Sequence, residues 1–91
     1  MNGKREVSFL DSAWSEYVDW QSEDKRTVKR INKLIKSIYS DAFDSGLGKP
    51  EPLKHNLSGL WSRRIDEYNR LVYYVKDEKV IIVQCKLHYD K

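Results

Sequence analysis

The hydrophobic period changes once along this chain, and that change fixes the class of fold open to it. Val28, Ile31, Leu34, Ile35 and Ile38 recur every three or four positions, the spacing of a helix with one buried stripe. From Leu60 onward apolar and polar residues alternate instead, as they do along strands. Helical pattern first and strand pattern second predicts an α+β domain with the helices on one face of an antiparallel sheet. At 91 residues the chain has room for one such domain, spanning 1–91, and its eleven aromatics supply a core.

Element by element, Val7-Ser8-Phe9-Leu10 predicts a short first strand. The Asp11-Ser12 pair is read as the cap of a helix from about Ala13 to Gln21, with Trp14, Tyr17, Val18 and Trp20 largely on one face. Ser22-Glu23-Asp24 restarts the pattern, so a second helix is expected from about Glu23 to Tyr39. Between Ser40 and Gly59 the periodicity disappears and Gly and Pro punctuate a long loop, a length that is functional or disordered more often than not. Three meander strands follow, over roughly Leu60–Asp66, Arg70–Lys76 and Lys79–Leu87, the last two joined by Asp77-Glu78.

Strand parity assigns faces, because alternate side chains point to opposite sides of a sheet. Trp61 and Ile65, Leu71, Tyr73 and Val75, and Ile81, Val83, Cys85 and Leu87 form the apolar sets expected to face the helices. Arg64, Arg70, Lys86 and His88 are then left on the open face, and the long loop can carry Glu51 and Lys54 over it. Cations grouped with a carboxylate and an imidazole suit a phosphodiester, although bases on a sheet face also serve as plain solvated surface. Arg63 falls on the core parity and is expected to reach outward at the sheet edge.

Charge is distributed unevenly. Residues 1–24 hold two bases and six acids, whereas residues 25–40 hold six bases and no acid. The six, Lys25, Arg26, Lys29, Arg30, Lys33 and Lys36, lie opposite the apolar stripe and suit any anionic partner; in a protein that works on the ribosome they would dock on ribosomal RNA. No run approaches the length needed to cross a bilayer, and Met1 to Glu6 lacks the apolar core of a signal peptide, so the expectation is a cytoplasmic protein without membrane attachment. One cysteine precludes an internal disulfide. No ligand cluster for a metal and no cofactor motif is evident.

The run from Gly48-Lys49-Pro50-Glu51-Pro52-Leu53-Lys54-His55-Asn56-Leu57-Ser58-Gly59 through Leu60-Trp61-Ser62-Arg63-Arg64-Ile65 closely resembles the YoeB toxins of the RelE superfamily. So do Trp20-Gln21, Asp24-Lys25-Arg26, Lys33-Leu34-Ile35-Lys36, Arg70-Leu71-Val72-Tyr73 and His88-Tyr89, giving a likeness from about Phe9 to Tyr89. The resemblance implies a RelE-like fold and a type II toxin–antitoxin toxin, a ribosome-dependent endoribonuclease that cuts mRNA in the ribosomal A site. It further implies a YefM-type antitoxin partner, a homodimer, and joint repression of the operon. Carried over residue by residue, the general base falls on Glu51, the general acid on His88 and the phosphate-stabilising arginine on Arg70, with Lys54, Arg64 and Tyr89 in support. A non-catalytic RNA-binding or regulatory module of the same fold remains the alternative.

Overall fold

The computed structural model describes residues 5–43 and 45–87. The elements run β1 (Glu6–Phe9), α1 (Asp11–Glu23), α2 (Lys25–Ser40), β2 (Glu51–Pro52), a 3-10 turn at His55–Leu57, β3 (Trp61–Arg64), β4 (Arg70–Lys76) and β5 (Lys79–Gln84). The α+β class stands, with both helices contributing to one core against a five-stranded sheet of order β1-β5-β4-β3-β2. Its register is more varied than a meander: β1 joins β5 in parallel while the other neighbours are antiparallel, so the sheet is mixed. The fifth strand, β2, lies inside the segment expected to be loop, too short to leave a periodic signal.

Helix boundaries moved for identifiable reasons. Asp11 and Ser12 lie inside α1, whose N-cap is Leu10 without a side-chain cap bond. The break between helices falls at Asp24, which is extended and whose Oδ1 accepts from the N–H of Arg26 (3.0 Å) and Thr27 (3.4 Å). A carboxylate cap also brings negative charge to the helix N-terminus, an advantage that the hydroxyl of Ser22 lacks. Ile31, Leu34 and Ile38 of α2 are buried as the stripe predicted, with Val28 and Ile35 packed at its margin. On α1 the buried residues are Ala13 and Trp20, whereas Trp14 and Val18 are exposed. Trp14 rests instead on the rings of Phe9 and Tyr17, 5.6 and 5.8 Å away.

The parity of β5 is the main correction. Tyr73 pairs with Ile82 but Val72 pairs with Gln84, so Val83 is an extra residue and the strand carries a bulge. Ahead of the bulge Val80 and Ile82 face the core, fully buried, in place of Ile81 and Val83. Beyond it the alternation is reset, and Cys85 is buried as expected. Lys86 consequently lies on the helix side, bonded to Glu23 at 3.0 Å and 5.2 Å from the Trp20 ring centroid, and Leu87 is exposed. Neither belongs to the face that parity had assigned it.

Arg63 does not reach outward. Its side chain is fully buried, and all five guanidinium donors are used: Nε to the Tyr73 hydroxyl (3.1 Å), one terminal nitrogen to Ser37 Oγ (2.8 Å) and the Leu47 carbonyl (3.0 Å), the other to the carbonyls of Asp41 (2.6 Å) and Ser45 (3.2 Å). One buried fork thus gathers the chain between α2 and β2. The same segment approaches β3 closely at Gly48, whose carbonyl accepts from the Arg64 N–H at 2.7 Å. A Cβ there would come within 2.7 Å of Leu34 Cδ2 and 3.2 Å of the Arg64 nitrogen, so only glycine fits.

Candidate active site

The sheet face turned away from the helices gathers three of the predicted groups, Glu51, Arg64 and Arg70, through register alone. Glu51 pairs with Ser62, Ser62 with Val72 and Val72 with Gln84, which sets these four side chains in one row across β2, β3, β4 and β5. One step along β3, Arg64 pairs directly with Arg70. Glu51 is diagonal to Arg64, a separation of about 7–8 Å between such neighbours. The face is not a bare plane, since Ser62 and Val72 are buried in it.

A like-charged pair directly opposite across a sheet is destabilising. Here neither guanidinium forms an ion pair among the described residues, although the Asp66 carboxylate lies near enough to feel the charge of Arg70. Among the described residues Arg64 is exposed and its side chain has no hydrogen-bond or ion-pair partner. One terminal nitrogen of Arg70 donates to the carbonyls of Asp66 (2.8 Å) and Asn69 (3.2 Å), which fixes the group and leaves its other nitrogens without partners among the described residues. An anion between the two arginines would relieve the repulsion.

The turn from β3 to β4 braces this arrangement. Asp66 Oδ1 accepts from the N–H of Tyr68 (2.8 Å) and Asn69 (2.6 Å), and its Oδ2 from Asn69 Nδ2 (3.0 Å). Burial pushes the Asp66 carboxyl up, but the bonds from Asn69 and Tyr68 and the charge of Arg70 outweigh it and hold the group below its ordinary value. Lys54 caps the 3-10 turn with its backbone, its side chain exposed, on the rim of a depression of about 430 Å³ that also includes Glu51. His88 and Tyr89 lie outside the described residues.

The basic surface of α2 is less uniform than its composition suggests. Lys25, Arg26, Lys29, Lys33 and Lys36 are exposed. Arg30 is half-buried, and its guanidinium donates to the carbonyls of Arg64 (2.9 Å) and Ile65 (3.2 Å). It ties α2 to the end of β3 and, among the described residues, is the one member of the six whose side chain is hydrogen-bonded. Among the described residues no group of His, Cys, Asp and Glu could hold a metal, and no helix is long and apolar enough to cross a membrane.

The family described as "YoeB-like toxin of bacterial type II toxin-antitoxin system" matches residues 9–89. The chain belongs to this family. A YoeB toxin of Escherichia coli is 56% identical over 79 residues, covering 87% of this chain and 93% of the relative. The YoeB dimer of Staphylococcus aureus superposes with a TM-score of 0.88 at 45% identity, over 94% of this chain and 99% of that one. The heterotetrameric YoeB–YefM complex of the same organism gives 0.86 at 45% identity with the same coverage. The RelBE2 complex of Mycobacterium tuberculosis, 18% identical with a TM-score of 0.72, shares the fold alone.

Asn69 and Gln84 escaped the sequence reading of this YoeB-family chain, because they carry no motif that marks them as supports of the candidate site, and so did the buried role of Arg63. The Asp66-x-x-Asn69 spacing is a turn signal, and it alone could have drawn attention to Asn69.

Proposed function

We propose that the chain is a ribosome-dependent endoribonuclease, cleaving mRNA in the ribosomal A site and so arresting translation. The observation that carries this reading is the placement of Glu51, Arg64 and Arg70 on one sheet face, with the two arginines opposed and neither ion-paired among the described residues. RNA supplies its own nucleophile. Glu51 takes the 2′-hydroxyl proton, the 2′-oxygen attacks the adjacent phosphorus, and the bond from phosphorus to the 5′-oxygen breaks. Arg70, with Arg64 and Lys54, bears the negative charge that builds on the phosphorane, and fixed cations at a protein site act more strongly there than in water. His88 protonates the leaving 5′-oxygen, and Tyr89 stacks on a base or orients the phosphate. The products are a 2′,3′-cyclic phosphate and a 5′-hydroxyl end, formed with no metal or cofactor.

Lys25, Arg26, Lys29, Lys33 and Lys36 dock on ribosomal RNA, an attachment that weakens with salt. Arg30 belongs to the scaffold in this reading, because its donors serve β3. The partner is a YefM-type antitoxin, as in the S. aureus complex, and the chain works in the cytoplasm as a homodimer and represses its operon with that antitoxin. Primer extension on an mRNA translated in vitro tests the proposal: cleavage is expected only with ribosomes present. Glu51→Gln, Arg70→Ala and His88→Ala should each slow it by about a hundredfold to ten-thousandfold. Parental rates in all three variants, or equal cleavage of naked mRNA, would overturn it.

A further inference from the structure

Leu87 adopts a left-handed backbone, φ 66°, although it is neither glycine nor buried. Such a conformation is strained for an L-residue and persists where the surroundings over-determine it. Three hydrogen bonds do so here. The Leu87 N–H donates to Asn69 Oδ1 at 2.6 Å, and the Leu87 carbonyl accepts from the Arg70 N–H at 3.1 Å and from Gln84 Nε2 at 3.0 Å.

Asn69 is the hub of these contacts. It is buried, its Nδ2 is held by Asp66, and its own carbonyl accepts from the Arg70 guanidinium. A single side chain therefore fixes both the segment that leaves β5 and the turn that fixes Arg70. From the other side, Glu16 Oε1 accepts from the Cys85 N–H (2.7 Å) and Trp20 Nε1 donates to the Cys85 carbonyl (2.8 Å), so the segment is clamped before it reaches Asn69. No packing demand on exposed Leu87 accounts for this arrangement.

We propose that Asn69 is a positioning residue: it holds Leu87, the residue before His88, in its left-handed conformation against the turn that fixes Arg70, and cleavage depends on that hold. The inference rests on the nuclease reading for its consequence but not for its geometry. In the Asn69→Ala variant the Leu87 amide should exchange with solvent about tenfold faster, the expected effect of losing one hydrogen bond of ordinary strength. Cleavage on programmed ribosomes should fall by about a hundredfold, as misplacement of a reacting group by an ångström does. Introduced beside His88→Ala, the same change should cost almost nothing further; beside Lys54→Ala it should cost its full amount.

The Asp66→Asn/Asn69→Asp double variant exchanges donor and acceptor between the two side chains and keeps an oxygen for the Leu87 N–H. It should therefore recover most of both losses. An unchanged Leu87 exchange rate in Asn69→Ala, or a cleavage loss undiminished in the His88→Ala background, would overturn the proposal. Faster Leu87 exchange together with a parental enzyme that fails to cleave would instead overturn the nuclease reading and leave the positioning role of Asn69 standing.

Discussion

Replacing Arg63 by Met keeps the length and apolar stem of the side chain and removes the fork. Five acceptors lose a donor: Ser37 Oγ, the Tyr73 hydroxyl and the carbonyls of Asp41, Ser45 and Leu47. The three carbonyls belong to exposed residues, so water can take over there if the segment loosens. Ser37 Oγ keeps the Leu47 N–H at 3.0 Å, whereas the Tyr73 hydroxyl, fully buried on β4 and donating to the Ala42 carbonyl, is left with no donor for its oxygen. At about 1–3 kcal/mol for one stranded acceptor the loss is about 1–3 kcal/mol. Relief from burying the charge offsets part of this, but only part, because every donor of the guanidinium is already satisfied. Against a net stability of about 5–15 kcal/mol the variant should remain folded in the cold. Its melting temperature should drop by about 4–8 °C for each kcal/mol lost. Urea unfolding followed by circular dichroism reads the free energy, and amide exchange of residues 45–48 should accelerate before that of β4. Arg63→Lys should not rescue, because an ammonium offers three donors without the planar fork and leaves acceptors unmet. Parental stability in the Met variant or in the Lys variant would refute this account of the buried guanidinium.

At the β4–β5 turn both central residues, Asp77 and Glu78, have positive φ, 52° and 63°, a conformation suited to Asn-Gly. Glu78→Gly should therefore raise stability by up to about 1 kcal/mol, read as a higher urea midpoint at unchanged slope, and a lower midpoint would contradict the turn assignment. Burial, with a smaller contribution from nearby Glu16, pushes the Cys85 thiol up to about 12. Native protein at pH 8 should thus resist iodoacetamide and react once unfolded in urea. Because the folded-state value exceeds the unfolded one, the fold disfavours the thiolate. This contribution to stability is complete below about pH 9 and is lost as pH rises toward 12, a loss that a Cys85→Ala variant should not share.

Much of the fold was legible because it rests on local regularities. The stripe from Val28 to Ile38 located α2 and its buried face, and the alternation through Arg70 to Lys76 located β4 with Leu71 and Tyr73 inward. Alternation also put Arg64 and Arg70 on one face, and the register confirmed it. Legibility ended where a long-range partner overrode the local pattern. On β5 every residue from Val80 to Val83 is apolar, so parity had nothing to read, and pairing with β1 and a bulge at Val83 chose the faces. On α1 the aromatic spacing pointed to Trp14, whereas contact with Cys85 selected Ala13 and Trp20.

The candidate site divides the same way. The sequence by itself determined which ionisable groups the chain carries, that an amphipathic basic helix precedes the strands, and, through its matching run of residues, the family. Only the tertiary structure decided that Glu51 enters the sheet as a two-residue edge strand, that Arg30 and Arg63 serve as struts while the Arg64 side chain has no partner among the described residues, and that Asn69 holds the segment beyond β5. Side-chain type is written locally, but whether a guanidinium is a strut or an anion site depends on which carbonyls the fold brings within about 3 Å of it. Those carbonyls lie 16 to 35 positions away along the chain.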